Sequence, residues 1–367
     1  MFNEKRYLKD LEYIVNIDSG TANVTGCRKI ADFFLQRFSE AGFHTQLLEA
    51  GDAKRPVVAA VTPQTQPLYE FYLGGHLDTV FPDGTASNRP FFIENGCAYG
   101  PGTIDMKSGA LLILYLAEAL IKTVPRVSLC IVLNSDEEIG SADSAQILRD
   151  WGSRCRRALI FEGGRKGGRL VNERKGIAKY HIQIKGIASH AGTAPQKGAS
   201  AVVELAHWIL KLDKLKNYGK GTSINVGLIK GGTALNVVAA ESHGDVEVRY
   251  REAEELARVE RALASLCEKP YVKGVQAQIT RLSHYPPLLL TKKTEKMMEE
   301  LAPYHLEYVK AGGISDANRL AVLDIPIIDG CGPQGGFPHS EKEFLRIETV
   351  SQRFELFYDI IKNSHKN

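Results

Sequence analysis

The chain has 367 residues, 44% of them hydrophobic, a globular composition with apolar material for roughly two to three domains. Lys and Arg number 46 against 43 Asp and Glu, and this near balance excludes the concentrated basic face that nucleic acid or an anionic membrane demands. No apolar run reaches the ~20 residues of a membrane span; the longest, ALLILYLAEALI (110–121), contains Glu118. The opening MFNEKRYLKDLEYIVNI is charged and amphipathic and lacks the apolar core of a signal peptide. The six cysteines form no CxxC pair, so they read as reduced thiols and the expected compartment is the cytoplasm.

In chain order, EFYLGG (70–75) predicts a strand, and DMKSGALLILYLAEALI (105–121) has helical spacing. RVSLCIVLN (126–134) is a nearly unbroken apolar run, as in a strand covered on both faces. SADSAQILRDW (141–151) predicts a short helix with Ser141 as its N-cap, and RALIF (157–161) another strand. This β-α-β-α-β rhythm predicts a mainly parallel sheet with helices on both faces. From about residue 175 the texture changes. GIAKYHIQIKG (176–186), SINVGLIKGG (223–232), ESHGDVEVRYR (241–251) and VQAQITRLSHY (275–285) read as antiparallel strands. ASAVVELAHWILKLD (199–213) and EAEELARVERALASLCE (252–268) read as helices on one face of that sheet. The expected fold is therefore an α/β domain over 1–174 and 288–367, interrupted by an α+β unit over 175–287.

Strongly polar residues recur where strands of the first part end. His76 and Asp78 follow EFYLGG, Asp136, Glu137 and Glu138 follow RVSLCIVLN, and Glu162 follows RALIF. In open parallel sheets such groups gather beyond the carboxyl ends of the strands. Asp105, after the glycine turn GPGTID, can point to the same edge, and FPHSEKEF (337–344) offers His339 in a loop after IPIIDG. Several carboxylates brought together without a cation repel one another. Histidine and carboxylates with no cysteine suit two zinc-like ions sharing a bridging carboxylate, and the chemistry that follows is metal-assisted hydrolysis. No phosphate-binding loop is present, since GxxxxGK[ST] is absent and GPGTID lacks the third glycine of a dinucleotide turn.

GGHLDTVFP, GPGTIDMKSG, NSDEEIGS, the Glu of FEGG, GIASHAGTAP and GGFPHSEKEF stand in this order along nearly the whole chain. In that set the sequence resembles the M20 family of dinuclear zinc peptidases and amidohydrolases, and within it the glutamate carboxypeptidases through KGIASHAGTAPQKGASAVVELAHWI. The resemblance implies two Zn2+ ions, with Co2+ or Mn2+ as substitutes. His76 and Glu162 would hold one ion, Glu138 and His339 the other, and Asp105 would bridge both. Asp78 would orient the His76 ring, and Glu137 would be the general base and then the acid for the leaving amine. The peptide bond after Asp105 would be cis. The inserted unit would be a lid and dimerisation domain, giving a homodimer in which His190 stabilises the oxyanion, often in the partner's site. Asn236, Arg249, Gly312 and Gly313 match substrate-holding positions, Arg249 as a clamp for the substrate α-carboxylate.

One departure stands out. Where glutamate carboxypeptidases carry an arginine before a proline on the last lid strand, RLSHYPPL has Tyr285 before Pro286, leaving Arg281 or His284 as substitutes. The expected substrate is a peptide or N-acyl amino acid whose scissile amide lies next to a free carboxylate. The alternatives are an N-acyl amino acid deacylase, a desuccinylase-type amidohydrolase, or a non-catalytic binding protein on the same fold.

Overall fold

The computed structural model describes residues 2–364. The chain divides into two compact units. One comprises the residues up to Glu173, Leu290–Ala311 and those from Ser315 onward; the other comprises Arg174–Leu289 with Gly312–Ile314.

The first unit is built on a six-stranded sheet in the order His44–Ala50, Arg55–Val61, Leu129–Asn134, Tyr69–His76, Cys155–Ile160 and Ile327–Ile328. The last four run parallel, and the first two are antiparallel additions at one edge. That edge hairpin is not foreseen from the sequence, because HTQLLEA lacks a clean alternation and RPVVAAV opens on a proline. Leu129–Asn134 is buried at every position, which is why its sequence is continuously apolar. The Ser108–Thr123 helix is buried nearly all round. It joins one core with Tyr7, Leu11, Phe34, Phe38 and Phe357 of neighbouring helices and with Phe71 and Leu73 of the sheet. A helix apolar on all sides belongs inside a large domain rather than on its surface. Tyr72 points the other way along its strand, toward the side carrying Asp316. There the helices Ala145–Gly152 and Asp316–Leu320 pack together.

The expected cap at Ser141 is not formed. The helix starts at Ala145, while Ser141 takes a left-handed conformation (φ 50°) and donates its hydroxyl to Asp316. Asp105 likewise lies in the turn Thr103–Lys107 rather than in the helix that follows.

The second unit is a four-stranded antiparallel sheet in the order Ser223–Gly231, Glu241–Tyr250, Gly176–Lys185 and Gln276–Tyr285. Every second residue of Glu241–Tyr250 is buried, the period that puts one sheet face under cover. That face packs the helices Ala201–Asp213 and Ala253–Glu268 around Trp208, Tyr180, Ile182, Val248 and Leu263. Glu204 is fully buried and satisfied there. It accepts from Trp208 Nε1 at 2.8 Å and from the backbone N–H groups of Tyr271 and Val272 at 3.2 and 2.7 Å. Among the described residues, no helix is long and apolar enough to cross a membrane.

Candidate active site

His76 is the last residue of its strand, and both glycines before it lie inside the strand. Neither takes a positive φ, so they do not serve a tight turn. Both are closely packed: a Cβ on Gly75 would meet Met106 Cε, and one on Gly74 would fall 2.6 Å from the Tyr72 ring and 2.7 Å from Ile160, so those side chains would have to shift. Met106 seats against the strand there and its sulfur accepts from His76 N at 3.2 Å. The Asp105–Met106 peptide bond is cis.

Four carboxylates converge around His76 and His339. Asp105 Oδ1 lies 3.3 Å from His76 Nε2, and Asp105 Oδ2 lies 3.0 Å from His339 Nε2. Glu138 Oε2 is 3.2 Å from His339 Nε2, and Glu162 Oε1 is 3.8 Å from His76 Nε2. Glu137 Oε2 stands 4.0 Å from His76 Nε2. One ligand atom from each of His76, Asp105 and Glu138 fits within a span of 4.8 Å, and so does the set His76, Glu137 and Glu162. Nitrogen and carboxylate oxygen without sulfur is a donor set for zinc-like ions. Glu138 Oε1 is buried with no hydrogen-bond partner in the protein, as a carboxylate oxygen reserved for a cation would be. The residues present therefore fit a bound metal ion, with the Asp105 carboxylate lying beside both histidines.

Asp78 is fully buried and fixes the arrangement from behind. Its backbone carbonyl is 3.0 Å and its Oδ1 3.3 Å from His76 Nδ1, leaving Nε2 toward the site. Its carboxylate also accepts the backbone N–H groups of Glu137 and Glu138, each at 3.2 Å, and the Thr21 hydroxyl at 2.6 Å. One aspartate thus orients a histidine and holds the loop carrying two glutamates. Thr21 carries no sequence signal; its part depends on a contact across 57 residues. On the far side of that loop Asp316 accepts from Ser141 and, at 3.3 Å, from Asn134 Nδ2, while Arg319 Nε donates to Gly140 O at 3.2 Å. Asp136 turns away from the cluster. It is buried and accepts from the N–H groups of Asp143 and Ser144 at 3.0 and 3.1 Å.

The electrostatics of the metal-free chain follow from this crowding. Burial pushes the Glu137 carboxyl well above the usual range, against the pull of His76 and with repulsion from Glu162, Asp316 and Glu138. Burial also raises Glu138. Hydrogen bonds to Asp105 and Glu138 raise His339 to about 10. Burial works against a charge on His76, yet its bonds to Asp105 and Asp78 hold it well above the ordinary value. Both shifts favour the protonated imidazole, whose proton a metal ion must displace. Binding is expected to release protons, and affinity to rise with pH until His339 deprotonates near 10. Calorimetric zinc titrations in two buffers of different ionisation enthalpy check this; identical heats in both would contradict it.

Of the remaining candidates, all five lie in the second unit. His190 Nδ1 accepts from the N–H groups of Gly192 and Thr193 at 3.1 and 3.2 Å, so in the neutral ring Nε2 carries the hydrogen and can donate. Its neighbour Ala191 donates to Asn236 O at 2.9 Å, bringing His190 and Asn236 side by side. Arg249 forms a second grouping, with Nη1 on Gly312 O at 2.8 Å and Nε on Glu247 at 2.6 Å. The Gly313 carbonyl accepts from Arg174 at 3.0 Å. Tyr285 is buried. Of its two suggested substitutes, Arg281 pairs with Glu260 at 3.4 Å and His284 meets the Tyr250 hydroxyl at 2.6 Å.

A mainly parallel α/β sheet with a histidine–carboxylate cluster at its strand ends, in one chain with an antiparallel α+β unit, is an arrangement suited to a metal-dependent hydrolase. The comparisons with known proteins agree. Residues 172–275 match the peptidase dimerisation domain of the M20 type, and residues 56–194 match peptidase family M28. Carboxypeptidase G2 of Pseudomonas sp. is 26% identical, over 94% of this chain and 86% of that protein. A succinyl-diaminopimelate desuccinylase of Vesicomyosocius okutanii is 25% identical, over 95% and 96%. In fold, the chain is similar to a tripeptidase of Staphylococcus aureus with a TM-score of 0.85 at 22% identity, over 100% of both chains. It is also similar to an M20 family metallo-carboxypeptidase of Sulfolobus solfataricus, with a TM-score of 0.77 at 17% identity over 99% of both. In sequence and fold the chain is thus similar to M20-type metallopeptidases and amidohydrolases.

Proposed function

We propose that this enzyme is a dinuclear zinc hydrolase that cleaves an amide next to a free carboxylate, as a carboxypeptidase releasing C-terminal glutamate or a similar amino acid. The observation that carries this reading is Asp105, whose two oxygens reach separately toward His76 and His339. His76 with Glu162, and Glu138 with His339, would hold one zinc ion each, with Asp105 between them; Co2+ or Mn2+ could take the same places. Bound there, the ions would polarise the scissile carbonyl and make a water acidic enough to lose its proton near neutral pH.

The side chains do the rest. Glu137, pushed up by burial, takes a proton from the attacking water and returns it to the leaving nitrogen. Asp78 keeps the His76 ring in place through Nδ1. His190 donates from Nε2 to the developing oxyanion, and Asn236 beside it helps to hold the substrate. Arg249 receives the substrate carboxylate as a planar fork at a site bounded by Gly312 and Gly313. The match to a dimerisation domain supports a homodimer through the second unit, whose edge strand Ser223–Gly231 exposes Leu228 and Ile229. A fully active monomer in sedimentation velocity would remove any role for His190 in a partner's site. The balanced charge and the absence of CxxC pairs favour a cytoplasmic enzyme without nucleic-acid or membrane partners.

The second reading, an N-acyl amino acid deacylase or desuccinylase, is favoured by Tyr285. The position that carries an arginine in glutamate carboxypeptidases is here a buried phenol. A panel of dipeptides and N-acyl amino acids, with and without a terminal glutamate, separates the two. Zinc-dependent release of glutamate in preference to other residues is the expected result. Turnover that ignores glutamate but accepts N-succinyl or other N-acyl substrates would move the enzyme to the second reading.

A further inference from the structure

The segment that supplies His339 also supplies Glu343, which is 1% exposed. Its carboxyl group accepts three backbone N–H groups from a single loop. Gly102 N donates to Oε2 at 3.0 Å, and Ile104 N and Asp105 N donate to Oε1 at 2.9 and 3.1 Å. That loop, GPGTID, ends on the aspartate that faces both histidines. It has little regular structure of its own: Gly102 takes φ 78°, and Asp105 and Met106 have non-helical backbone angles. Without Glu343 the three amides would be buried donors lacking these acceptors, a costly state.

We infer that Glu343 is a positioning residue for the metal centre: its carboxylate fixes the backbone at Asp105 so that both Asp105 oxygens are aimed before an ion arrives. Because Glu343 follows His339 by four residues, it also ties the His339 segment to the Asp105 loop. Two ligands from segments more than 200 residues apart in sequence are thereby set as one unit. A metal site needs its ligands held to within a fraction of an ångström, and the groups that hold them govern affinity nearly as strongly as the ligands do. The inference rests on the metal-hydrolase reading above.

Glu343→Gln tests it at nearly constant volume. One acceptor oxygen becomes an NH2 group, so whichever way the amide turns, at least one loop N–H meets another donor. Zinc-loaded wild-type and variant enzymes are titrated with a chelator of known affinity. The variant is expected to lose zinc at a chelator strength corresponding to a 10–100-fold weaker site. A merely structural role would lower the melting temperature of the metal-free chain and leave zinc affinity unchanged in the folded protein; that result overturns the inference. Amide hydrogen exchange on the metal-free wild type supplies an independent reading should the variant not fold. Protection of residues 102–105 without metal is expected, and rapid exchange there would overturn the proposal. Wild-type enzyme that binds no zinc would instead defeat the metal reading, with the exchange result still deciding the role of Glu343.

Discussion

Replacing Glu137 by Gln is expected to lower kcat by roughly 10²–10⁴-fold, toward the upper end because one carboxylate serves both proton transfers. Its side chain is 12% exposed and lies 4.0 Å from His76 Nε2, within the carboxylate cluster. The Gln side chain keeps that volume, and the bond from residue 137 N–H to Asp78 does not depend on the side chain. Metal content and KM should therefore stay close to wild type while turnover collapses. Steady-state kinetics together with metal analysis of the same samples checks this. A variant with two ions bound and near-normal kcat would show that another group carries the proton.

Asp105→Ala is expected to act at the opposite end, on the metal itself. The two Asp105 oxygens meet His76 and His339, so the substitution removes a donor from both halves of the site at once. The loss in zinc affinity should exceed the 10–100-fold typical of an outer partner, and kcat/KM should fall to background. The fold should persist in the metal-free variant, because Glu343 binds the backbone at residue 105 and not its side chain. Circular dichroism, zinc titration and kinetics on one preparation test all three statements. Two ions retained at wild-type affinity would remove Asp105 from its bridging position.

Much of this site is legible in the sequence because parallel sheets deliver functional groups to one edge. His76, Glu137–Glu138 and Glu162 each follow a strand whose apolar pattern is strong, and the structure brings them together with Asp105 and His339. What the pattern cannot supply is the direction of a side chain within such a loop. Asp136, Glu137 and Glu138 are consecutive, yet Asp136 is claimed by the start of the next helix at Asp143 and Ser144. The same limit hides Gly74 and Gly75. They fall within the predicted strand EFYLGG, and nothing in the sequence shows how closely Met106, Tyr72 and Ile160 pack against them. Thr21 and Glu343 escape for a further reason. Each matters through one contact with a distant segment, and neither periodicity nor spacing encodes that contact. The edge hairpin His44–Val61 is missed because its first strand is only partly buried and its alternation correspondingly blurred.

Substrate preference is less legible than chemistry. The histidine–carboxylate cluster gathers at the end of one sheet and in the loops around it, whereas Arg249 and Tyr285 sit at the ends of strands in the second unit. Arg249 is partly occupied by Glu247 and the Gly312 carbonyl, and an incoming carboxylate would compete with those partners for its guanidinium.

Crystals of the zinc-loaded enzyme, measured on both sides of the zinc absorption edge, test the central claim most directly. Two anomalous peaks about 3.5–4 Å apart are predicted, the spacing of ions that share a bridging ligand. One should lie between His76 and Glu162, the other between Glu138 and His339, with an Asp105 oxygen on each. A single peak, or two peaks that Asp105 does not join, would contradict the dinuclear account.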